Sequence, residues 1–221
     1  MPEPQSPSRP RGQQAGGRRE LNRRATREAI SAAALRLSRE HGPGGYTVDT
    51  LAEEAGISRR TFFNYFPSIE AAVTQPVEDF LDRAFARLYE RPVEEPIMDA
   101  VLAALGSDVG QEELALLCEV YAMGLADEQL ERMQLWLWNK AQQKLEEGLR
   151  ARLPQDSSGL LIDALAGSLI ACAKAATRRA SLDAPPGQGP DPAAFHDLLL
   201  ASLGLLRAGF NTNGFTTLKD I

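Results

Sequence analysis

The stretch TVDTLAEEAGISRRTFFNYF, residues 47–66, decides the fold of this chain. Thr47 is a residue type that caps helix N-termini, and a helical pattern of apolar residues follows it. Gly56 stands where that helix must end with a positive φ, and Ser58, two residues later, can cap another helix. The second helix is short because Pro67 disfavours helical geometry in the residue before it. Two helices joined by so tight a turn predict a helix-turn-helix.

Small and apolar residues occupy the interior positions of this motif. Ala52 leaves room for the close approach of the two helices. Leu51, Ile57 and Phe62 are placed to form the wedge between them. A steep crossing of two helices needs both features. Since each position has its own steric reason, the pattern indicates a packed helix-turn-helix.

Basic and polar residues follow the cap of the second helix. With Ser58 as N-cap, Arg59, Arg60 and Thr61 are the first residues on its outer surface. In helix-turn-helix proteins this turn reads base edges in the major groove of DNA, and the arginine fork matches O6 and N7 of guanine. The alternative is a solvated face. Positive charge just after an N-cap opposes the helix dipole, however, and a locally unfavourable choice is typical of a functional site.

Further residues extend this predicted DNA-binding surface. Asn64 lies one turn after the arginines and is placed to reach adenine or a phosphate. Tyr65 and Thr47 carry hydroxyls suited to phosphate oxygens. The predicted DNA-contacting residues are therefore Thr47, Ser58, Arg59, Arg60, Thr61, Phe63, Asn64 and Tyr65.

The residues before the motif predict another helix and a basic tail. An apolar stripe that begins at Ile30 and continues at i+3, i+4 and i+7 predicts a helix over residues 21–41, ended by Gly and Pro within residues 42–45. Residues 1–20 contain almost no large apolar side chains and are predicted to be a disordered basic tail. We therefore place a three-helix DNA-binding domain at residues 21–67. The tail arginines that either reach a phosphate backbone or are merely solvated are Arg9, Arg11, Arg18 and Arg19.

Charge divides the chain in the same place. Net charge is −6 overall, but residues 1–66 hold 11 arginines, no lysine and 7 acidic residues, a net of +4, and residues 67–221 carry a net of −10. Such an asymmetry indicates a basic nucleic-acid module joined to an acidic domain with another task.

Residues 68–221 are predicted to form a larger helical domain. A bend or interruption is expected at Pro76, and a Pro/Gly linker lies at residues 185–190. No alternating strand pattern of useful length is present, so the fold class is all-α. Helices are predicted at residues 68–90, 96–106, 111–124, 127–152, 157–181 and 192–209.

Several function classes are not expected from this composition. No stretch resembles a membrane span or a secretory signal, so we expect a cytoplasmic protein without a membrane partner. His41 and His196 stand alone, and no metal-binding or catalytic motif is present. We therefore predict no metal, no cofactor and no enzymatic activity. Cys118 and Cys172 are either buried small hydrophobes or redox-active thiols.

Residues 27–73, REAISAAALRLSREHGPGGYTVDTLAEEAGISRRTFFNYFPSIEAAV, resemble the tetracycline-repressor (TetR) family. The likeness rests on three helices, a glycine-containing loop after the first, and an aromatic-rich third helix that ends in Tyr-Phe-Pro-Ser. Many members have Tyr in place of Phe63 and Lys in place of Ile69, so backbone anchoring differs in detail here. The resemblance implies phosphate contacts by Thr47 and Tyr65 and base or backbone contacts by Arg59, Arg60, Thr61 and Asn64.

The resemblance also implies a homodimeric repressor that a small apolar inducer releases from a palindromic operator in double-stranded DNA. Residues 157–181 and 192–209 carry wide apolar faces with small residues and are the expected dimer interface, although burial within one subunit would give the same pattern. The alternative function is a DNA-binding or protein-interaction regulator that needs no ligand. Candidate ligand contacts, each of which could instead be ordinary core, are Phe85, Tyr89, Leu117, Tyr121 and Trp136.

Overall fold

Helices make up the regular structure in the part of the chain that the computed structural model describes, residues 11–106, 110–185 and 191–209. These residues contain nine α-helices and no strand, which confirms the predicted all-α fold. In chain order the helices are α1 (Arg11–His41), α2 (Val48–Glu54), α3 (Arg59–Tyr65), α4 (Ile69–Tyr89), α5 (Ile97–Gly106), α6 (Gln111–Gly124), α7 (Glu128–Arg152), α8 (Gly159–Asp183) and α9 (Pro192–Arg207).

Capping side chains set the start of most of these helices. The hydroxyl or carboxylate of each cap accepts a hydrogen bond from a backbone N–H of the first turn, which satisfies a donor that the helix leaves free. Such residues are visible in the sequence, so the predicted starts from α4 onward lie within two residues of the observed ones. The caps of α2, α3, α4, α7, α8 and α9 are Thr47, Ser58, Ser68, Asp127, Ser158 and Asp191.

The first helix begins earlier than the sequence predicts. α1 starts at Arg11, so residues 11–20 of the expected disordered tail are helical, and residues 1–10 lie outside the described part of the chain. Extending a helix costs much less than nucleating one, because each added residue gains a backbone hydrogen bond. The Gln, Ala, Arg and Glu residues of this segment favour helix, which offsets the opposite preference of Gly16 and Gly17.

α4 runs from Ile69 to Tyr89 as one helix with Pro76 inside it. The interruption expected at this proline is absent. Proline removes one backbone hydrogen bond, but Val73 and Val77, on either side of it, are both buried and hold the helix against its neighbours.

One small core joins α1, α2 and α3. Ile30, Leu51 and Phe62 have no exposed area. Tyr46 closes this core beside α1, where its hydroxyl donates to the carbonyl of Ala34 at 2.8 Å. Burial raises the pKa of Tyr46, so the hydroxyl stays a neutral donor.

α4 belongs to both halves of the molecule. It packs against α1 and also against α6 and α7. α8 lies against α6, α7 and α9, and α5 packs against α4 and α9. The buried residues of both halves form one continuous hydrophobic cluster. The three-helix domain therefore rests on a helix that also walls the larger domain.

α8 is long and apolar enough to cross a membrane, by length and composition alone. Its most apolar window has a mean hydropathy of 1.6, and 33% of that window is buried within the structure. The expectation that no such stretch exists is therefore wrong for α8, because its many alanines raise the hydropathy without forming a run of large apolar residues. The helix packs against three others, as a core helix of a helical domain does.

Candidate nucleic-acid interface

The turn between α2 and α3 has the geometry that its sequence predicts. The hydroxyl of Thr47 accepts from the N–H of Thr50 at 3.2 Å, and the hydroxyl of Ser58 accepts from the N–H of Thr61 at 3.1 Å. Gly56 has a φ of 66°, a conformation that side chains with a Cβ rarely adopt. Both caps and the left-handed glycine confirm the helix-turn-helix.

The inner face of α3 fixes the rotation of this helix. Phe62 is fully buried and Phe66 is 1% exposed, with ring centroids 6.2 Å apart. Ile57 packs at the edge of the same cluster. Because the large rings must face inward, the residues between them must face outward. The predicted DNA-contacting residues are all at least partly exposed: Thr47, Ser58, Arg59, Arg60, Phe63 and Asn64 are exposed, and Thr61 and Tyr65 are partly so.

The two arginines at the start of α3 have different environments. Arg59 donates to a carboxylate oxygen of Asp49 at 2.9 Å, and its guanidinium carbon lies 5.5 Å from the ring centre of Phe63. Arg60 is exposed and makes no ion pair within the described residues. The Asp49 contact was not expected from the sequence, since it joins two different helices. Arg60 is therefore the arginine that is free to meet DNA without giving up a partner.

Arg27 of α1 holds the end of α3 to α4. One guanidinium nitrogen donates to the carbonyl of Tyr65 at 3.1 Å, and Nε donates to the side-chain oxygen of Gln75 at 3.0 Å. Its guanidinium carbon also lies 4.5 Å from the ring centre of Phe66. The Gln75 amide in turn donates to Asp79 at 2.8 Å. We name this arrangement the Arg27 clamp, and it connects α3 to α4 through the guanidinium of a residue on α1.

A second polar link joins α1 to α6. The guanidinium of Arg39 donates to both carboxylate oxygens of Glu119, at 2.6 and 2.7 Å. The pKa of Arg39 is raised above its ordinary value by this hydrogen bonding. Nothing in the sequence predicts either link, because the partners come together only in the folded chain.

An apolar cavity of about 80 Å³ lies between α4 and the later helices. Phe85 and Leu117, both predicted ligand contacts, line it together with Trp138. Tyr121 instead lines a neighbouring void of about 10 Å³. No charged side chain is among the described residues that line the larger cavity.

The other two predicted ligand contacts lie away from the cavity. Tyr89 is 40% exposed, and its hydroxyl donates to the carbonyl of Lys144 at 2.9 Å. Trp136 is 53% exposed, with Lys140 Nζ 5.0 Å from its ring centre. Aromatic residue type alone did not reveal which face of each helix is turned to the cavity. Trp138, two residues after Trp136, is the tryptophan that is buried there.

The described residues include no cluster of His, Cys, Asp and Glu that could hold a metal ion. Burial raises the pKa of Cys118 to about 12 and also raises that of Cys172. A thiol whose pKa is raised stays protonated at neutral pH and is a poor nucleophile. The two cysteines therefore fit the interpretation as buried small hydrophobes better than the redox interpretation.

Comparisons with known proteins agree with this geometry. Residues 30–73 match the family described as "Bacterial regulatory proteins, tetR family". The HTH-type transcriptional regulator EthR of Mycolicibacterium smegmatis is 45% identical over 56 residues, which are 25% of this chain. The chain matches 26% of the length of that relative.

Solved structures of similar fold cover more of the chain than the sequence matches do. The fatty acid degradation regulator FadR from Bacillus halodurans has a TM-score of 0.50 and 18% identity, over 82% of this chain and 96% of that one. FadR from Thermus thermophilus, solved with lauroyl-CoA, has a TM-score of 0.48 and 23% identity, over 82% and 93% of the two chains. At 18% identity, the likeness to the Bacillus halodurans protein is one of fold alone.

Proposed function

Residues 30–73 make the N-terminal domain a member of the tetR family of bacterial regulatory proteins, and from this premise we propose that the protein is a DNA-binding transcriptional regulator acting as a cytoplasmic repressor. The observation that carries the proposal is the outward face of α3. Its buried aromatic rings and its Ser58 cap leave Arg60 and Asn64 exposed on a fixed helix. A helix presented in this way fits the major groove of double-stranded DNA.

The test is selection from a library of random duplexes at about 150 mM salt, where screening limits non-specific attraction. We expect an enriched palindromic operator. Arg60→Ala then costs about 1–3 kcal/mol of binding and relaxes preference at one base pair if the guanidinium reads guanine. Arg132→Ala, an exposed arginine on α7, is the matched control and leaves binding unchanged. Absence of any enriched sequence would contradict the proposal.

Homodimer formation through α8 and α9 is the next part of the proposal. Ala164, Ala171 and Ala175 form one exposed stripe of small residues on α8, and Ala201 and Gly204 form another on α9. Small residues permit close helix packing, so two copies can build a four-helix interface. Two subunits are also what a palindrome requires, because its half-sites lie about 34–36 Å apart or at multiples of that distance.

The dimer is tested by placing charge on this stripe. Ala171→Glu inserts a carboxylate at the centre of the proposed interface and should give a monomer in sedimentation velocity. Ala86→Glu, at an exposed alanine of α4, is the control and should leave the dimer intact. A wild-type protein that sediments as a monomer at all concentrations tested would refute this part.

The apolar cavity supports a small apolar inducer. Small-molecule sites usually measure about 300–1,000 Å³, so a cavity of about 80 Å³ must widen to take one. Widening would move α4, which walls the cavity and also carries Gln75, the α4 partner of Arg27 in the clamp. An inducer acts only if it binds the widened state more tightly than the DNA-bound state.

A regulator without any ligand is the second candidate, and the small volume of the cavity favours it. The two are separated by screening apolar compounds for loss of operator affinity. For a true inducer, Ala84→Leu fills the cavity and should abolish the response while operator binding persists. Ala86→Leu, on the exposed side of α4, should respond like the wild type. If no compound changes operator affinity, the ligand-independent regulator stands.

A further inference from the structure

An open cleft lies where α1 passes the end of α3. It has a volume of about 520 Å³ and is separate from the first turn of α3. It is formed by a stretch of α1 that precedes the buried core and by the last residue of the recognition helix. Its lining residues are Arg19, Glu20, Asn22, Arg23, Thr26 and Tyr65.

Two arginines in this cleft are without a partner. Arg19 and Arg23 are four residues apart, so they lie on one face of α1. Both are exposed, and neither makes an ion pair or hydrogen bond among the side chains that the structure describes. The next arginine along behaves differently, since Arg24 pairs with Glu28 at 2.7 Å. The unpaired arginines are therefore the ones that face the cleft.

The other groups in the cleft suit an anion. Asn22 and Tyr65 are residue types whose side chains can donate hydrogen bonds, and both line the cleft. Glu20 is the carboxylate in the lining, so the two guanidinium groups leave the cleft net positive. An arginine guanidinium can donate two parallel hydrogen bonds to the oxygens of one phosphate. These bonds make the interaction directional as well as electrostatic.

We propose that this cleft binds a phosphate of the DNA backbone beside the groove that α3 reads. The proposal rests on the proposed DNA-binding function and deepens it. The first turn of α3 carries the base-reading residues, whereas the cleft lies at the opposite end of the same helix, next to Tyr65. Contacts to phosphates position a protein on the duplex without reading sequence. Each subunit would thus grip DNA beyond the helix-turn-helix itself.

The experiment compares Arg19→Ala and Arg23→Ala with Arg24→Ala in the full chain. Affinity is measured for the selected operator and for a scrambled duplex over about 50–200 mM salt. Each cleft variant should bind both duplexes several-fold more weakly, with a slope of log K against log salt that is smaller by about 0.9 for each lost phosphate contact. Arg24→Ala should keep the wild-type slope, because its partner is Glu28. Base preference should be unchanged in all of them.

Glu20→Gln tests the same cleft in the opposite direction. Removing its carboxylate should raise affinity for both duplexes, and circular dichroism checks that every variant keeps its helix content. Unchanged slopes in both Arg19→Ala and Arg23→Ala would overturn the phosphate cleft while operator binding itself stands. Loss of preference at particular base pairs would overturn it too, in favour of base reading. A wild-type protein that binds no duplex would instead overturn the proposed function.

Discussion

The α2–α3 motif and the α8–α9 pair both expose side chains that the rest of the chain does not cover, but the side chains are of opposite kinds. α3 exposes Arg60 and Asn64, which water solvates well. α8 exposes Leu160 and Leu161, at 80% and 52%. Covering apolar area is favourable by about 25 cal/mol per Å². Solvation by water stabilises a charged surface in the absence of any partner. An apolar surface, by contrast, gains free energy whenever another apolar surface covers it. The following predictions, from the largest effect to the smallest, test how far the two halves differ.

The largest effect is expected in the core of the DNA-binding half. Phe62→Ala removes a fully buried ring and should lower the free energy of unfolding by about 3–5 kcal/mol. Phe63→Ala removes the neighbouring ring, which is 48% exposed, and should change it by less than about 0.5 kcal/mol. Urea unfolding followed by circular dichroism measures both. Equal losses of stability in the two variants would mean that the buried ring of Phe62 does not hold α3 in place.

Removing the Arg27 clamp should have an intermediate effect on the free energy of unfolding. Arg27→Ala leaves the Tyr65 carbonyl and the Gln75 side chain without their donor and should cost about 1–3 kcal/mol. The loss should appear as faster amide hydrogen exchange in the last turn of α3. Arg24→Ala is the control, since the ion pair of Arg24 is with Glu28 on the same helix. Exchange that speeds up equally across all helices would show a general loss of stability instead of a released clamp.

The ion pair between Arg39 and Glu119 should contribute less. Its arginine is 52% exposed, so we expect a coupling energy of about 0.2–1 kcal/mol in a double-mutant cycle. The Arg36–Glu54 pair, at 48% and 44% exposure and within the DNA-binding half, is the matched comparison. Both couplings should shrink as salt increases. A coupling energy of zero for Arg39 and Glu119 would leave the Arg27 clamp as the main polar connection between the halves.

The two thiols of the larger half should not react with thiol reagents near neutral pH. Burial raises the pKa of Cys118 from 9.0 to about 12, so a thiol reagent at about pH 8 should leave it unmodified in the native protein and modify it in urea. The raised pKa means that the folded state favours the neutral thiol. Its contribution to stability is therefore present below pH 9 and is lost as the pH rises toward about 12. Rapid native-state labelling would show that this half opens readily.

The helix-turn-helix could be predicted from sequence because its determinants are local. Thr47, Gly56 and Ser58 act within three or four residues of themselves, and the buried rings follow the helical period. The partners of Arg27 lie 38 and 48 residues away, so no local pattern contains them. The Asp49 contact of Arg59 was missed for the same reason.

The helices of the larger half were predicted well from the sequence. The residues that line its cavity were predicted less well. Apolar residues at the helical period and Pro or Gly breaks located its helices, but the cavity depends on how six helices are rotated against one another. Trp136 and Trp138 are equivalent in the sequence, and packing alone turns one outward and the other inward. The extension of α1 was missed because a composition poor in large apolar residues is equally typical of disorder.

The continuity of α4 has a mechanical consequence. Phe85 on the cavity and Gln75 in the clamp are ten residues apart on one helix, which is about 15 Å at 1.5 Å per residue. A tilt of about 5° around the cavity end would move the clamp end by about 1.3 Å over that length. The Arg27–Gln75 hydrogen bond of 3.0 Å has no such tolerance, since contacts beyond about 3.5 Å no longer count as bonds. α4 is therefore a lever arm: a tilt of this size at the cavity would stretch both hydrogen bonds that the Arg27 guanidinium donates to the Gln75 side-chain oxygen.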